Sequence, residues 1–280
     1  MSWDSDNPFP SSAALGETDS GARNLSAFLC SLLIPGPVLV IGSSELALAA
    51  AEHHEVTVVD WNHRRLHRLA ECARSRGLSL RLECRDLQRE DLVVSRDGVQ
   101  NVVCVDVLER LRSDLAVLQK LRRAIPPSGQ LIVRVRGGDW VQARDGGSST
   151  SVRSYTEQGL QDALELAGFR VQRMRYWNFV GIPFSFFWDR WLKRPRRDRG
   201  GIPSSEQPRG TWDVVMDGWY RRVEGRVAFP AGVSLIAVAT PHLERVRLTD
   251  RVPARRAARR NPEAEPLAVQ RFRVREDGLV

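Results

Sequence analysis

Residues 38–60 read VLVIGSSELALAAAEHHEVTVVD, and this stretch decides the fold. Val38 to Ile41 is an apolar run of the length expected for a buried strand. Gly42 ends it. Glu45 to Glu52 is rich in alanine and leucine, which favour helix. Val56 to Asp60 is a second, β-branched strand that closes on an acid. Strand, glycine, helix, strand, acid is the first half of a nucleotide-binding α/β unit.

The alternation continues along the chain. Asn24 to Leu33 reads as a short helix leading to the turn Pro35-Gly36-Pro37. Leu66, Leu69, Ala70 and Ala73 recur at i, i+3, i+4, i+7, an amphipathic helix that Gly77 ends. Leu78 to Cys84 alternates as a third strand, and Val99 to Val105 is a fourth, fully apolar one. Leu111, Leu115, Leu118, Leu121 and Ile125 define a helix stopped by Pro126 and Pro127. Gln130 to Val135 is the fifth strand. Thr156 caps a helix carrying Leu160, Ala163, Leu164 and Ala167, with Gly168 at its end. Phe169 to Arg175 and Val233 to Thr240 complete seven strands. This order predicts an α/β protein: a doubly wound, mostly parallel sheet with helices on both faces.

The flanks differ in composition. Residues 1–22 are polar and rich in Ser, Asp and Pro and are expected to be disordered. Residues 23–241 form the folded domain, with an aromatic-rich insertion over 177–230 between strands six and seven. Residues 242–280 form an arginine-rich tail, expected to be largely disordered. The chain has 280 residues and 42% hydrophobic content, enough for one such core.

The net charge of +8 does not mark a nucleic-acid groove. Residues 189–199 hold six basic and two acidic residues, and residues 241–280 hold ten arginines and six acids. These two segments carry the whole excess, so the core is neutral and the charge sits on appendages. The four cysteines, Cys30, Cys72, Cys84 and Cys104, lack zinc-site spacing and read as buried free thiols. His63 and His67 stand four apart on a helix, but no third ligand accompanies them, so no metal is expected. The acidic, proline-containing N-terminus lacks the basic start of a signal peptide. The longest apolar run, Leu25 to Ile41, is broken by the Pro-Gly-Pro turn, so no transmembrane segment is expected. The expected location is the cytoplasm.

In an open α/β sheet the ligand lies over the carboxyl ends of the strands. Four consecutive ends carry Gly42, Asp60, Asp86 and Asp106. Gly42 would let a ligand approach the backbone. Asp60 can accept both hydroxyls of a ribose, and Asp86 can accept an adenine amino group.

Three separated segments sharpen this. Residues 99–135, VQNVVCVDVLERLRSDLAVLQKLRRAIPPSGQLIVRV, resemble the fourth strand, helix and "LkPGG" turn of the class I S-adenosylmethionine-dependent methyltransferases. LQDALELAGFRV, 160–171, is similar to that family's "lleeaGF" segment, and FPAGVSLIAVAT, 229–240, to its closing strand. The resemblance implies a Rossmann-like sheet whose seventh strand runs antiparallel between the fifth and sixth. It implies S-adenosyl-L-methionine as cofactor, held by Gly42, Ser44, Asp60, Trp61, Asp86, Leu87 and Asp106. Trp61 would pack on the adenine and Asp106 would border the methionine. Tyr155 and Arg153 are the candidates for contact with the acceptor, and no residue stands out as a general base.

The chain departs from the family pattern at named positions. Val40 stands where an acid usually precedes the first glycine. Ser44 and Leu46 replace the second and third glycines. Thr150 to Tyr155 lacks the histidine of a "GHxRRY" segment. The acceptor would be a small molecule or lipid-linked. Phe184, Phe187, Trp188 and Trp191 share one helical face before a basic run, so residues 184–197 offer either an aromatic lid or a peripheral membrane contact. Two other readings stay open: a non-catalytic binding or scaffold descendant, and a nicotinamide-dependent oxidoreductase built on Gly42-x-Ser44-x-x-Ala47 and Asp60.

Overall fold

The structure is a computed structural model, and it describes residues 19–42, 44–90, 99–137, 155–179, 216–227 and 229–242. The chain divides into two units, Met1–Arg245 and Val246–Val280, and the second lies outside the described residues. So do residues 1–18, Arg153 and the 184–197 segment.

The elements of the first unit follow the predicted order. They are α1 (Asp19–Cys30), β1 (Val38–Ile41), α2 (Ser44–Ala50), β2 (Val56–Asp60), α3 (His63–Ser75), β3 (Arg81–Cys84), β4 (Asn101–Val105), α4 (Asp114–Ala124), β5 (Gln130–Arg136), α5 (Glu157–Leu166), β6 (Phe169–Trp177) and β7 (Ser234–Pro241). A short 3-10 turn, Leu108–Arg110, follows β4, and a π-helical turn, Tyr220–Glu224, precedes β7. The seven strands form one sheet in the order β3-β2-β1-β4-β5-β7-β6. β7 is antiparallel to both β5 and β6, and the remaining neighbours are parallel.

Local chemistry fixes the helix ends. The Asn62 side chain accepts from the backbone N–H of Arg64 and Arg65 and so caps α3. Gly77 takes φ 66° just beyond it, where a side chain is disfavoured. Ser113 caps α4, and the Thr156 hydroxyl accepts from Gly159 N at 3.0 Å to cap α5.

The two faces of the sheet bury separate clusters. One packs Leu39, Val102, Leu131, Val133 and Leu235 against Val117, Leu118 and Leu121 of α4 and Leu160 and Leu164 of α5. The other packs Val40, Val58, Val103, Ile132 and Ile236 against Leu25 and Leu29 of α1, Leu46 of α2 and Leu66 and Leu69 of α3. The amino-terminal edge is closed by a satisfied polar network. Asn101 Nδ2 donates to Ile34 O (2.8 Å), and Gln130 Nε2 donates to Leu32 O (2.7 Å) and Asn101 Oδ1 (2.9 Å). That edge is structural; unpaired polar atoms gather at the other one.

Several expectations are corrected. α1 begins at Asp19, inside the segment expected to be disordered, because buried Ala22 extends the stripe of Leu25 and Leu29. It also ends at Cys30 rather than Leu33. β3 starts at Arg81, not Leu78. Leu78 N instead bonds Ala73 O to close α3, and pairing begins only where Arg81 meets Thr57. Leu111 is buried but lies in the bend after the 3-10 turn, not in α4. Cys84 is exposed, since it ends the edge strand, whereas burial pushes the Cys104 thiol far up and the Cys30 thiol to about 11.

Candidate functional site

The carboxyl ends of β1, β2 and β4 meet at Gly42, Asp60 and Asp106. Gly42 has φ 91°. A Cβ there would lie 2.4 Å from the Val105 carbonyl oxygen and 2.5 Å from Val107 Cγ2. The end of β4 thus packs directly against the turn at Gly42. Glycine is needed here because the turn must pass the neighbouring strand in a left-handed conformation.

The departures around Gly42 have packing reasons. Val40 is fully buried between β2 and β4, so an acid there would need a buried partner. Leu46 is buried and fills the helix–sheet space that a third glycine would leave. Ser44 is the first residue of α2.

Asp60 ends β2 with its side chain only 9% exposed. Its Oδ1 accepts from the Asn62 backbone N–H at 2.9 Å. Its Oδ2 faces Arg65 Nε at 3.4 Å, and Arg65 Nη2 donates to the Gly42 carbonyl at 3.3 Å. One guanidinium thus bridges the first and second strand ends. Trp61, the next residue, is 52% exposed, an indole presented to solvent beside the carboxylate.

Asp86 and Leu87 follow β3. Asp86 Oδ1 accepts from Gln88 N at 2.9 Å, and Oδ2 lies 3.5 Å from Arg89 Nε, so this carboxylate organises the turn over residues 86–90. Leu87 is buried in the core, and its carbonyl accepts from Lys120 Nζ at 3.3 Å.

Asp106 is the end of β4 and takes φ 54°, a conformation rare outside glycine. Its Oδ2 receives a 2.7 Å bond from Arg134 Nη1. Arg134 is 1% exposed in the middle of β5, and its Nε and Nη2 donate to Ser234 Oγ at 3.1 and 2.8 Å. A buried charge in a strand needs such partners. The other oxygen, Asp106 Oδ1, is buried with no hydrogen-bond partner among the described residues.

Glu109, three residues on, is a candidate group that the sequence pattern did not single out. It is 2% exposed. Its Oε1 accepts from Arg136 N at 2.7 Å, while Oε2 is buried with no hydrogen-bond partner among the described residues. Burial first, and the Asp106 charge second, push its carboxyl up to about 7. Arg110 lies beside it, its guanidinium desolvated and flanked by Asp106, Glu109, Arg65 and Arg136. The signal available in sequence was an acid inside the apolar spacing Leu108-x-x-Leu111.

Tyr155 is brought to the edge by a bridge to Gly137, with its N–H on Arg136 O at 3.1 Å. Its hydroxyl donates to Asp114 Oδ2 at 2.6 Å, tying the start of α5 to that of α4. His63 and His67 are exposed on α3, and His67 faces Glu71 at 3.6 Å. Among the described residues no three metal-ligating side chains converge, and no helix is long and apolar enough to cross a membrane.

Beside Ser234, across β7, stands Trp177 at the end of β6. Phe28 and Tyr220 both stack on it, at 4.8 and 5.7 Å between ring centres. Arg175 lies 4.8 Å from the Phe28 ring centre and donates to the carbonyls of Glu224, Gly225 and Val227. Buried Glu224 accepts from Phe179 N at 2.7 Å and Trp219 Nε1 at 3.2 Å. Residues 216–227 are thereby clamped onto β6 and α1 next to the Asp106–Arg134 pair.

No protein-family model matches the chain, and no curated protein matches its sequence. Solved structures do. A S-adenosylmethionine-dependent methyltransferase from Clostridium acetobutylicum is similar over 81% of this chain and 94% of its own, with TM-score 0.54 and 12% identity. The methyltransferase CcbJ from Streptomyces caelestis gives TM-score 0.54 at 12% identity, over 81% of this chain and 98% of its own. The cyclase SpnF gives TM-score 0.51 at 18% identity, over 86% of each chain. With β7 antiparallel between β5 and β6 and the strand order seen here, the chain has the fold of the class I S-adenosylmethionine-dependent methyltransferases.

Proposed function

We propose that the chain binds S-adenosylmethionine and transfers its methyl group to a small or lipid-linked acceptor. The observation that carries this reading is the pairing of Asp60 with exposed Trp61 at the end of β2. A carboxylate for ribose hydroxyls beside a half-exposed indole for a base is what an adenosine requires. The orphaned Asp106 Oδ1 fits the same ligand, because a buried acceptor calls for a donor such as an ammonium group.

The residues divide the work by position. Asp60 holds the ribose, Trp61 covers the base, and Asp86 lies on the adenine side. Asp106, fixed by Arg134, borders the amino-acid end. The cofactor supplies an electrophilic methyl on a sulfonium. Displacement at that carbon depends mainly on proximity and alignment. Glu109, titrating near 7, holds or releases a proton at Oε2 beside this end. Arg175 and Glu224 hold residues 216–227, a described part of the 177–230 insertion, and that insertion selects the acceptor in this reading. Arg153 and Tyr155 stand with that acceptor side in this reading, and the protein works in the cytoplasm.

Titration of S-adenosylhomocysteine into the full chain tests this. Saturation near a hundredfold over Kd stabilises a folded protein by about 2.7 kcal/mol. Asp60→Ala removes the stabilisation, and NADH gives none. Absence of any thermal shift at millimolar ligand overturns the reading. A second reading is a non-catalytic or non-methylating descendant. Arg65 seated on Asp60 favours it, and the same fold serves the cyclase SpnF. Nucleoside binding without turnover of any acceptor would select it.

A further inference from the structure

We infer that Arg65 is a latch on the nucleoside site: it holds Asp60 in the free chain and must swing away before a ribose is accepted. The inference rests on the nucleoside-binding reading above. Three contacts point to it. Arg65 Nε lies 3.4 Å from Asp60 Oδ2, Arg65 Nη2 lies 3.3 Å from Gly42 O, and Asn62 N takes Asp60 Oδ1 at 2.9 Å. Both carboxylate oxygens are thus engaged, and the guanidinium spans the crevice between the ends of β1 and β2.

The residue's position has no local justification. Arg65 is in the first turn of α3, which contains no acid, so its charge opposes the helix dipole there. Arg110, itself desolvated, adds a repelling cation nearby. The contact with Asp60 offsets these costs and keeps the arginine over the site. The latch can open, because the Arg65 side chain is 32% exposed while Asp60 is 9% exposed. Its free direction is toward water, and Asp60 stays in place when it leaves.

A ribose must therefore compete with an ion pair. Removing the guanidinium removes that competition, and an ion pair of this exposure limits the gain to about fivefold in affinity. The same argument sets the salt dependence. Salt screens the pair and favours the open latch, so nucleoside affinity in the native chain rises with ionic strength.

The test is calorimetric titration of S-adenosylhomocysteine into the native chain, Arg65→Ala, Arg65→Gln and Arg74→Ala, at low and high salt. Arg74 is exposed at the far end of the same helix and controls for lost charge. The latch predicts affinity about fivefold tighter in both Arg65 variants, no salt dependence there, and native behaviour in Arg74→Ala. Equal or weaker binding by the Arg65 variants overturns it and makes Arg65 a support for Asp60. Binding by none of the proteins overturns the latch together with the nucleoside reading, a result distinct from binding that Arg65 fails to restrain.

Discussion

Glu109→Gln should change how stability depends on pH. The Glu109 carboxyl stands at about 7 in the folded chain against an ordinary 4.5. Folding therefore favours its protonated form. The stability this proton contributes is complete below about pH 4.5 and is lost as pH rises through about 7. The gap between the two values corresponds to about 3 kcal/mol. Glutamine keeps the acceptor for Arg136 N, now at 2.7 Å from Oε1, and places a neutral group beside Asp106. The variant should match the native chain near pH 4 and exceed it by up to about 3 kcal/mol near pH 8. Urea denaturation of both proteins across that range measures the difference, and the histidines common to both cancel. A constant difference, or a variant less stable at the alkaline end, would refute the placement of a desolvated carboxyl next to Asp106.

Two further outcomes follow from the same edge. Gly42→Ala forces a methyl to within 2.4 Å of Val105 O at φ 91° and should cost about 2–4 kcal/mol, read as a lowered denaturation midpoint. Arg134→Met leaves Asp106 buried without its cation and should cost about 3–5 kcal/mol, most of which Asp106→Asn in the same chain restores.

The fold was legible because most strands are announced twice, by an apolar run and by a breaker after it. β1 and β2 were read to the residue, since Gly42 and Asp60 punctuate runs with no competing pattern. Errors fell where a burial pattern crosses an element boundary. Leu78 and Leu111 are apolar and in phase with their neighbours, yet one closes a helix and the other fills a bend. A periodic pattern reports burial and does not report which hydrogen bonds the backbone makes.

The site was legible only where it is local. Asp60 and Asp106 were placed by their position after strands. Their partners were not, because they arrive by register: Arg134 sits opposite Val105 only once β4 and β5 pair. An arginine inside Leu131 to Val135 did carry a signal, since a charge in a central strand demands a buried counter-charge, and Asp106 is the acid that the parallel register offers.

The glycine motif is a poorer guide to this chain than its loss suggests. Val40 and Leu46, two of its departures, point into the cluster shared with α1, α2 and α3, where they add apolar packing. Gly42, the glycine that remains, packs its left-handed turn against the end of β4. These three positions therefore answer to the core. In the proposed reading the nucleoside is governed from the next strand over, where Asp60, Trp61 and Arg65 lie within six residues of one another and the arginine alone opposes binding.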